Sequence, residues 1–272
     1  MALNLVLHTF RMIFGNFGQA LRVSVGPYFV GIVIAGIAFM LSGLPFASGF
    51  DPMASAFSPG AILLLFLLIP MTLFITAWVA VSWHRFILLE EYAGILPAVS
   101  GRPIWPYVGK SILLGLIIIL IAIPLFLIFG TLIAGVAQPE PGEISFSADG
   151  TPDIPLAFLI QASLVPALVG IPLYYVILRI GIALVGTALA KPLGFGEAWR
   201  ATAKVGGMIF GVTIIMTLIN LVPGWLIFSV QSISPVFASI LNMCLTWLSM
   251  MLGISILTTI YGHVIEDRPL IS

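Results

Sequence analysis

Charge is what this sequence has least of. Only 7% of its 272 residues are charged and 61% are hydrophobic, whereas soluble domains carry about 25% charged residues. So few charges cannot cover a surface that faces water, so most of the chain must be solvated by lipid. The formal net charge is zero, and no basic field is therefore present to recruit nucleic acid.

The sequence also lacks the patterns that mark disulfides, signal peptides and metal sites. Its one cysteine, Cys244, excludes an internal disulfide. Arg11 and Arg22 interrupt the N-terminal region, so we expect no cleaved signal peptide and a mature chain that starts at Met1. His84 and His263 have carboxylates nearby in sequence, but no HxxxH or CxxC spacing is present. We expect no metal, no cofactor and no enzymatic activity.

The first 22 residues have a helical period. One stripe of the helix is apolar and another is polar with two arginines. The apolar stripe contains Leu3, Val6, Phe10, Phe14, Phe17 and Leu21, and the polar stripe contains Asn4, His8, Arg11, Gly15, Gly18 and Arg22. Such a segment is typical of a helix in the headgroup plane, and we predict an interfacial amphipathic helix over 1–22. The alternative is a helix packed against the rest of the protein.

Six apolar runs are long enough to cross a bilayer, which takes about 20 residues. They cover about 27–45, 61–83, 111–136, 156–178, 207–229 and 236–262, and the fourth could continue as helix to Ala190. The predicted fold is an all-α polytopic membrane protein, a single domain over 1–272 with cytoplasmic amphipathic segments. Three repeated helical hairpins are one interpretation of this order, supported by the aromatic-arginine pairs Phe10-Arg11 and Trp199-Arg200.

The basic residues support this count of spans. With six spans, all ten Lys and Arg residues lie on the side of the N-terminus. The loop from Gln138 to Pro155 lies on the other side and carries carboxylates but no Lys or Arg. The positive-inside rule then places both termini in the cytoplasm. We expect a multi-pass protein of the bacterial inner membrane.

The connector after the second span holds the first candidate residues, Arg85, Glu90 and Glu91. Neither carboxylate is three or four residues from Arg85, so neither shares its helix face well. We expect a basic residue of another connector to be the partner of Glu90.

Arg179 follows a long apolar run, and burying a cation in hydrocarbon costs at least about 2.5–3.5 kcal/mol. We expect its side chain to snorkel to the cytoplasmic interface; the alternative is a polar interior with Tyr174 or Tyr175. Trp199 and Arg200 are candidates in the basic connector before the fifth span.

Pro166 and Pro172 flank Gly170 in the fourth span, which is therefore the span with the strongest tendency to bend. Broken helices mark the sites of many transporters, but proline is also common in ordinary membrane helices, and we favour that simpler interpretation.

Two short segments carry a resemblance to a known group. Trp83-His84-Arg85 with Leu88-Leu89-Glu90, and Gly194-Phe195-Gly196-Glu197-Ala198-Trp199-Arg200, resemble elements of six-helix bacterial membrane proteins of largely unknown function. These are related to the membrane domain attached to some glycerophosphodiester phosphodiesterases. The resemblance implies the topology; without a soluble phosphodiesterase domain in this chain, the enzymatic activity does not carry over.

Two functions are consistent with these observations. The first is a non-enzymatic membrane protein that handles, or supports the transport of, lipid or another hydrophobic molecule, because almost no charge lies inside the spans. The second is an accessory or assembly subunit of a larger membrane complex. Gly31 and Ala35 share a helix face and permit close approach of another helix. The expected partners are membrane lipid and, for the second function, other membrane proteins.

Overall fold

The computed structural model of the chain describes residues 1–44, 58–134, 145–146, 152–153, 156–231 and 233–270. The helices are α1 (Ala2–Gly15), α2 (Phe17–Ser42), α3 (Pro59–Leu89), α4 (Ile104–Ala134), α5 (Leu156–Ile180), α6 (Ile182–Ala188), α7 (Phe195–Ala201), a 3-10 turn (Thr202–Val205), α8 (Gly206–Gln231) and α9 (Pro235–Ile265). Two two-residue strands, Ser145–Phe146 and Pro152–Asp153, pair antiparallel. The rest of the predicted acidic loop, and most of the loop after the first span, lie outside the described residues.

Six of the described helical segments are long and apolar enough to cross a membrane, which confirms the all-α polytopic fold. They are Phe17–Ser42, Pro59–Leu89, Ile104–Phe129, Ala167–Ala188, Phe195–Gly224 and Pro235–Ile265. Several continue beyond the predicted runs into polar sequence; α3, for example, runs to Leu89. Hydropathy marks where a helix is apolar, whereas the backbone hydrogen bonds of the helix continue until a residue breaks them.

The predicted single helix over 1–22 is divided at Asn16. α1 ends at Gly15, Asn16 has non-helical torsions (φ −120°, ψ 31°), and α2 begins at Phe17. The last part of the predicted interfacial helix therefore belongs to the first span. α2 also runs through Pro27, where we expected the span to begin. A membrane helix tolerates proline where neighbouring groups satisfy the freed carbonyl.

α1 packs across the bundle. Ala2 lies against Gly211 of α8, and the Thr9 Oγ1 lies 3.5 Å from the Thr259 Oγ1 of α9. The buried stripe of α1 consists of Leu5, Val6, Thr9 and Ile13. Leu3 and Phe14, from the predicted apolar face, remain exposed. The helix thus packs on the protein with one stripe and keeps apolar side chains available to lipid with another.

The long helices pack as three sequential hairpins, α2–α3, α4–α5 and α8–α9. α6 occupies the centre: all seven of its residues are buried, and it contacts α3, α4 and α9. The described core is concentrated at the end of the bundle where α3, α6 and α9 terminate. On α3 the buried residues run from Ile75 to Leu88, and on α9 nearly all lie between Met251 and Gly262. Many side chains on the other halves of these helices are exposed.

Candidate functional site

The polar connectors meet at the end of the bundle that holds the core. We call this end the collar and define it as residues 84–110, 179–206 and 263–268. It contains eight of the ten basic residues of the chain: Arg85, Arg102, Lys110, Arg179, Lys191, Arg200, Lys204 and Arg268. The contacts below join these connectors, so the structure brings together residues that are far apart in sequence.

Glu91 is held between two arginines. Arg85 binds it with both arms, Nη2 to Oε1 at 2.6 Å and Nε to Oε2 at 3.0 Å, and Arg102 Nη1 contacts Oε2. The hydrogen bond from Arg85 is the largest effect that lowers the pKa of Glu91, and the bond from Arg102 adds to it. Glu91 thus meets Arg85 although the six-residue spacing does not place the two side chains on one helix face. α3 ends at Leu89, and Glu90 adopts a left-handed conformation (φ 56°) that turns the chain back.

Glu90 itself is exposed, and among the described residues it forms no ion pair within 4.0 Å. The basic partner that we expected from another connector is not found in the described part. Glu90 acts through its backbone and not through its charge. Its positive φ turns the chain, so that Glu91 comes back toward α3.

Collar cations also bind carbonyls at helix ends. Arg85 Nη1 donates to Ala188 O at 3.0 Å, at the end of α6, and Arg268 Nη2 donates to Leu88 O at 2.8 Å, at the end of α3. The last carbonyls of a helix lack partners and carry its negative dipole end, so the two arginines stabilise these helix ends. Lys110 Nζ donates to Leu193 O at 2.6 Å, in the connector between α6 and α7. All three cations link separate parts of the bundle.

Arg179 is buried, with 6% of its surface exposed. Its Nε donates to Thr202 Oγ1 at 2.6 Å, Nη1 to the Tyr175 hydroxyl at 2.9 Å, and Nη2 to Trp199 O at 2.6 Å. The guanidinium also stacks on the Trp199 ring, 3.9 Å from its centroid. The guanidinium is therefore buried among polar groups that include Tyr175, as in the alternative interpretation, and its position relative to the membrane interface stays a prediction. In the described part of the chain no carboxylate lies within 4.0 Å of Arg179.

Trp199 and Arg200 both lie on α7, above Arg179. Trp199 is 41% exposed although its ring covers the guanidinium, and Arg200 is exposed. α7 begins with a hydrogen bond from Gly194 N–H to Glu197 Oε2 at 2.7 Å. The two sequence-predicted candidates thus form the outer layer of a site whose buried layer is Arg179. Thr202 Oγ1 and Trp199 O are the two closest partners of Arg179. Thr202 could not be predicted from the sequence, because a single threonine in a connector belongs to no recognisable pattern.

His84 belongs to a buried polar cluster. Its Nδ1 lies 2.8 Å from Thr258 Oγ1 and its Nε2 lies 3.4 Å from the Tyr107 hydroxyl. Thr258 donates its own proton to Ile254 O, so Nδ1 must be the donor to Thr258 and Nε2 the acceptor. Over the described residues, no three His, Cys, Asp or Glu side chains come together as a metal would need. The cluster joins α3, α4 and α9.

The prolines of the fourth span do not interrupt it. α5 is helical through both Pro166 and Pro172, and the break falls at Gly181 instead. A Cβ at Gly181 would lie 2.4 Å from Ile177 O and 2.9 Å from a methyl of Leu257. Glycine therefore permits the close approach of α9 at this break. Bending at the two prolines stays a prediction.

Away from the collar, an apolar groove lies between the exposed halves of α2 and α3. Its volume is about 440 Å³, and it is partly open to the surroundings of the bundle. Seven side chains or backbone positions line it, all of them apolar: Ile32, Ala35, Gly36, Phe39, Met40, Leu64 and Leu68.

The fold and the six apolar helices define a multi-pass α-helical membrane protein. No family model, no curated protein and no solved structure matches the chain. The resemblance to the membrane domain of glycerophosphodiester phosphodiesterases therefore stays a prediction.

Proposed function

We propose that this protein is a non-enzymatic membrane protein that binds a hydrocarbon chain of a lipid, or a similar hydrophobic molecule, in handling it or supporting its transport. The observation that carries the proposal is the groove between α2 and α3. Its volume of about 440 Å³ falls within the roughly 300–1,000 Å³ that is usual for small-molecule sites. Because its lining has no charged residue, the groove suits a hydrocarbon chain and offers no partner for a polar headgroup.

The small residues of α2 create this groove. At Gly36 a side chain would meet no atom within 4 Å, whereas at Gly31 a Cβ would lie 3.4 Å from Ile75 of α3. The two helices are therefore in contact at Gly31, and they meet again where a Cβ at Gly60 of α3 would lie 2.2 Å from Ser42 O. Between these contacts Gly36 leaves an apolar surface that a chain can occupy without displacing any side chain.

We also place the protein in a bacterial inner membrane with both termini in the cytoplasm. The support is the collar: if the positive-inside rule applies, the end with the basic connectors faces the cytoplasm. The sequence resemblance described above favours the same topology. Asp149→Cys, in a cysteine-free background, should react with a membrane-impermeant maleimide added to intact spheroplasts, and Lys191→Cys should not. The reverse pattern would overturn this orientation.

Filling the groove tests the binding proposal. Gly36→Leu should weaken the binding of a fluorescent fatty acyl probe to the purified protein at least tenfold, because the added side chain occupies the space of the chain. Gly115→Leu on α4 is the matched control, since a side chain there also meets no atom within 4 Å and lies outside the groove. Equal probe binding by both variants, or no saturable binding by the wild type, would count against the proposal.

The exposure of α4 favours the second candidate, an accessory or assembly subunit. In the most apolar stretch of Ile104–Phe129 only 6% is buried, whereas 50% is buried in the corresponding stretch of Ala167–Ala188. Leu120 is exposed and Leu114 is buried. A photo-crosslinking residue at position 120 should then give one discrete adduct with another polypeptide in the native membrane, and the same residue at 114 should not. Crosslinks to lipid alone would exclude this candidate.

A further inference from the structure

An exposed lane runs from the collar down the side of α8. From Gly207 onward its positions follow one another at intervals of three or four residues, so they share one face of α8, and Arg200 and Lys204 precede them on α7 and in the 3-10 turn. The positions of the lane are Arg200, Lys204, Gly207, Phe210, Ile214, Leu218 and Val222, and all are exposed. The lane is cationic at the collar and apolar along the span.

The cationic end of the lane consists of Arg200 and Lys204, which are both exposed. Among the described residues neither Arg200 nor Lys204 forms an ion pair within 4.0 Å. Arg200 is the second-last residue of α7 and Lys204 lies in the 3-10 turn, so the two positive charges are close together on the chain. Arg179 adds a third cation beneath them through its bonds to Trp199 and Thr202. The carboxylate of this connector, Glu197, accepts from Gly194 N–H at the start of α7.

Gly207 leaves an opening between the two parts of the lane. A Cβ at Gly207 would meet no atom within 4 Å, and the residue is exposed. The next exposed side chain along the lane is Phe210, which packs against Tyr175, 5.9 Å between ring centroids. Tyr175 in turn contacts Trp199. An aromatic edge therefore borders the opening, as is common at the level of lipid headgroups.

We propose that this lane binds one anionic phospholipid. Arg200 and Lys204 hold its phosphate above Gly207, and an acyl chain lies along Phe210, Ile214, Leu218 and Val222. Charge complementarity at the collar end selects this ligand, because a basic pair attracts anionic headgroups and a zwitterionic lipid gains much less. The inference extends the proposed lipid-handling function, and its physiological meaning rests on that function, but the site is separate from the groove of α2 and α3.

Trp199 provides the readout of this proposal. The full-length protein is placed in phosphatidylcholine nanodiscs that contain brominated phosphatidylglycerol or, for comparison, the same amount of brominated phosphatidylcholine. The signal of Trp199 is the fluorescence difference between the wild type and Trp199→Phe. We expect the brominated anionic lipid to quench this signal at lower content than the zwitterionic lipid. Equal quenching by the two lipids would overturn the proposal.

Two changes should abolish the preference for different reasons. Arg200→Gln with Lys204→Gln removes the charges and should weaken apparent binding roughly thirty-fold. Gly207→Leu keeps the charges but fills the opening; its unfolding midpoint should not fall, because the space is free and leucine favours the helix. A Gly207→Leu protein that is stable and still prefers the anionic lipid would contradict the site.

Controls separate this lane from diffuse electrostatics and from the groove. Arg11→Gln with Arg22→Gln removes two other exposed cations and should leave the preference unchanged within about threefold; a loss equal to that of the lane variant would show a diffuse effect. Glycerol 3-phosphate at millimolar concentration should not compete, and competition would assign the site to a soluble anion. Gly36→Leu should bind anionic lipid normally, so failure of the groove and failure of the lane are distinguishable.

Discussion

Replacing Arg179 by methionine is the most informative test of the collar. Methionine is similar in length and apolar, so it fills much of the space without the charge. The substitution removes hydrogen bonds to Thr202 Oγ1, the Tyr175 hydroxyl and Trp199 O, together with the stacking on the Trp199 ring. The connector that carries α7 then loses the side-chain bonds from residue 179 of α5 and keeps the bond from Thr202 Oγ1 to the backbone oxygen of that residue and the contact of Trp199 with Tyr175.

The size of the effect follows from two opposing contributions. A hydrogen bond to a charged group stabilises by about 1.5–3 kcal/mol, and a desolvated cation–π contact by about 2 kcal/mol. The three bonds and the contact together give roughly 6–11 kcal/mol. Burying the cation without a carboxylate costs several kcal/mol, and the substitution removes that cost. We therefore expect the free energy of unfolding to fall by about 3 kcal/mol, with hydrogen bonds outweighing desolvation.

Reversible unfolding in mixed micelles of increasing SDS content measures this difference directly. Arg179→Lys should lose nearly as much stability, because a single ammonium cannot reproduce the planar fork or the stacking. Arg200→Met is the control: Arg200 is exposed, and its loss should change stability by no more than about 0.5 kcal/mol. A loss below about 1 kcal/mol for Arg179→Met would refute the reasoning, since desolvation would then cancel the bonds.

Three further predictions concern other parts of the collar. Gly26→Ala should destabilise the protein by about 2–4 kcal/mol and expose the 90–103 connector to protease, because its Cβ would lie 1.8 Å from Ile95 O. Glu91→Gln should reduce the acid sensitivity of folding: the hydrogen bond from Arg85, with a further one from Arg102, holds the pKa of Glu91 below its ordinary value in the folded state, so its contribution is complete above that ordinary value and is lost as pH falls through the lower folded-state pKa. His84→Phe should lower the free energy of unfolding by about 2–3 kcal/mol, because Tyr107 and Thr258 lose a buried partner.

Each of these has its own control. Gly18→Ala meets no atom within 4 Å and should stabilise α2 slightly, by about 0.5–1 kcal/mol; a loss similar to that of Gly26→Ala would mean that any glycine of α2 is sensitive. The wild type and Glu91→Gln should differ near neutral pH and converge in acid, and parallel pH profiles would contradict the Arg85 pairing. His84→Gln keeps a hydrogen-bonding group and should lose less stability than His84→Phe, unless packing alone decides the effect.

The membrane-spanning segments could be predicted from the sequence, because hydropathy and charge are local properties of short runs of residues. Six runs without charge must lie in lipid because the transfer of charge into hydrocarbon is unfavourable, and the six helices occur where those runs are. Their ends were less predictable. α3 continues to Leu89 and α2 begins already at Phe17, because a helix needs only satisfied backbone hydrogen bonds and not continuous hydrophobicity.

The sequence could predict which residues belong to the candidate site, but it could not predict which of them contact one another. Arg179, Trp199 and Arg200 stand out as polar or aromatic residues next to apolar runs, yet nothing local shows that Arg179 binds Trp199 O and Thr202. Glu91 reaches Arg85 only because the left-handed turn at Glu90 reverses the chain. The spacing rule for helical neighbours fails there, since the helix has already ended.

The sequence by itself determined that this is a membrane protein, the number of its apolar spans and the exclusion of charge from their middles, because each depends on the transfer free energy of single residues or short runs. Tertiary structure alone decided which cation binds which carbonyl, and that His84 meets Thr258 across 174 positions of the chain. It also decided where the surfaces of α2 and α3 leave a groove. These depend on how helices pack against one another, and packing is set by the shapes of surfaces that come from distant segments.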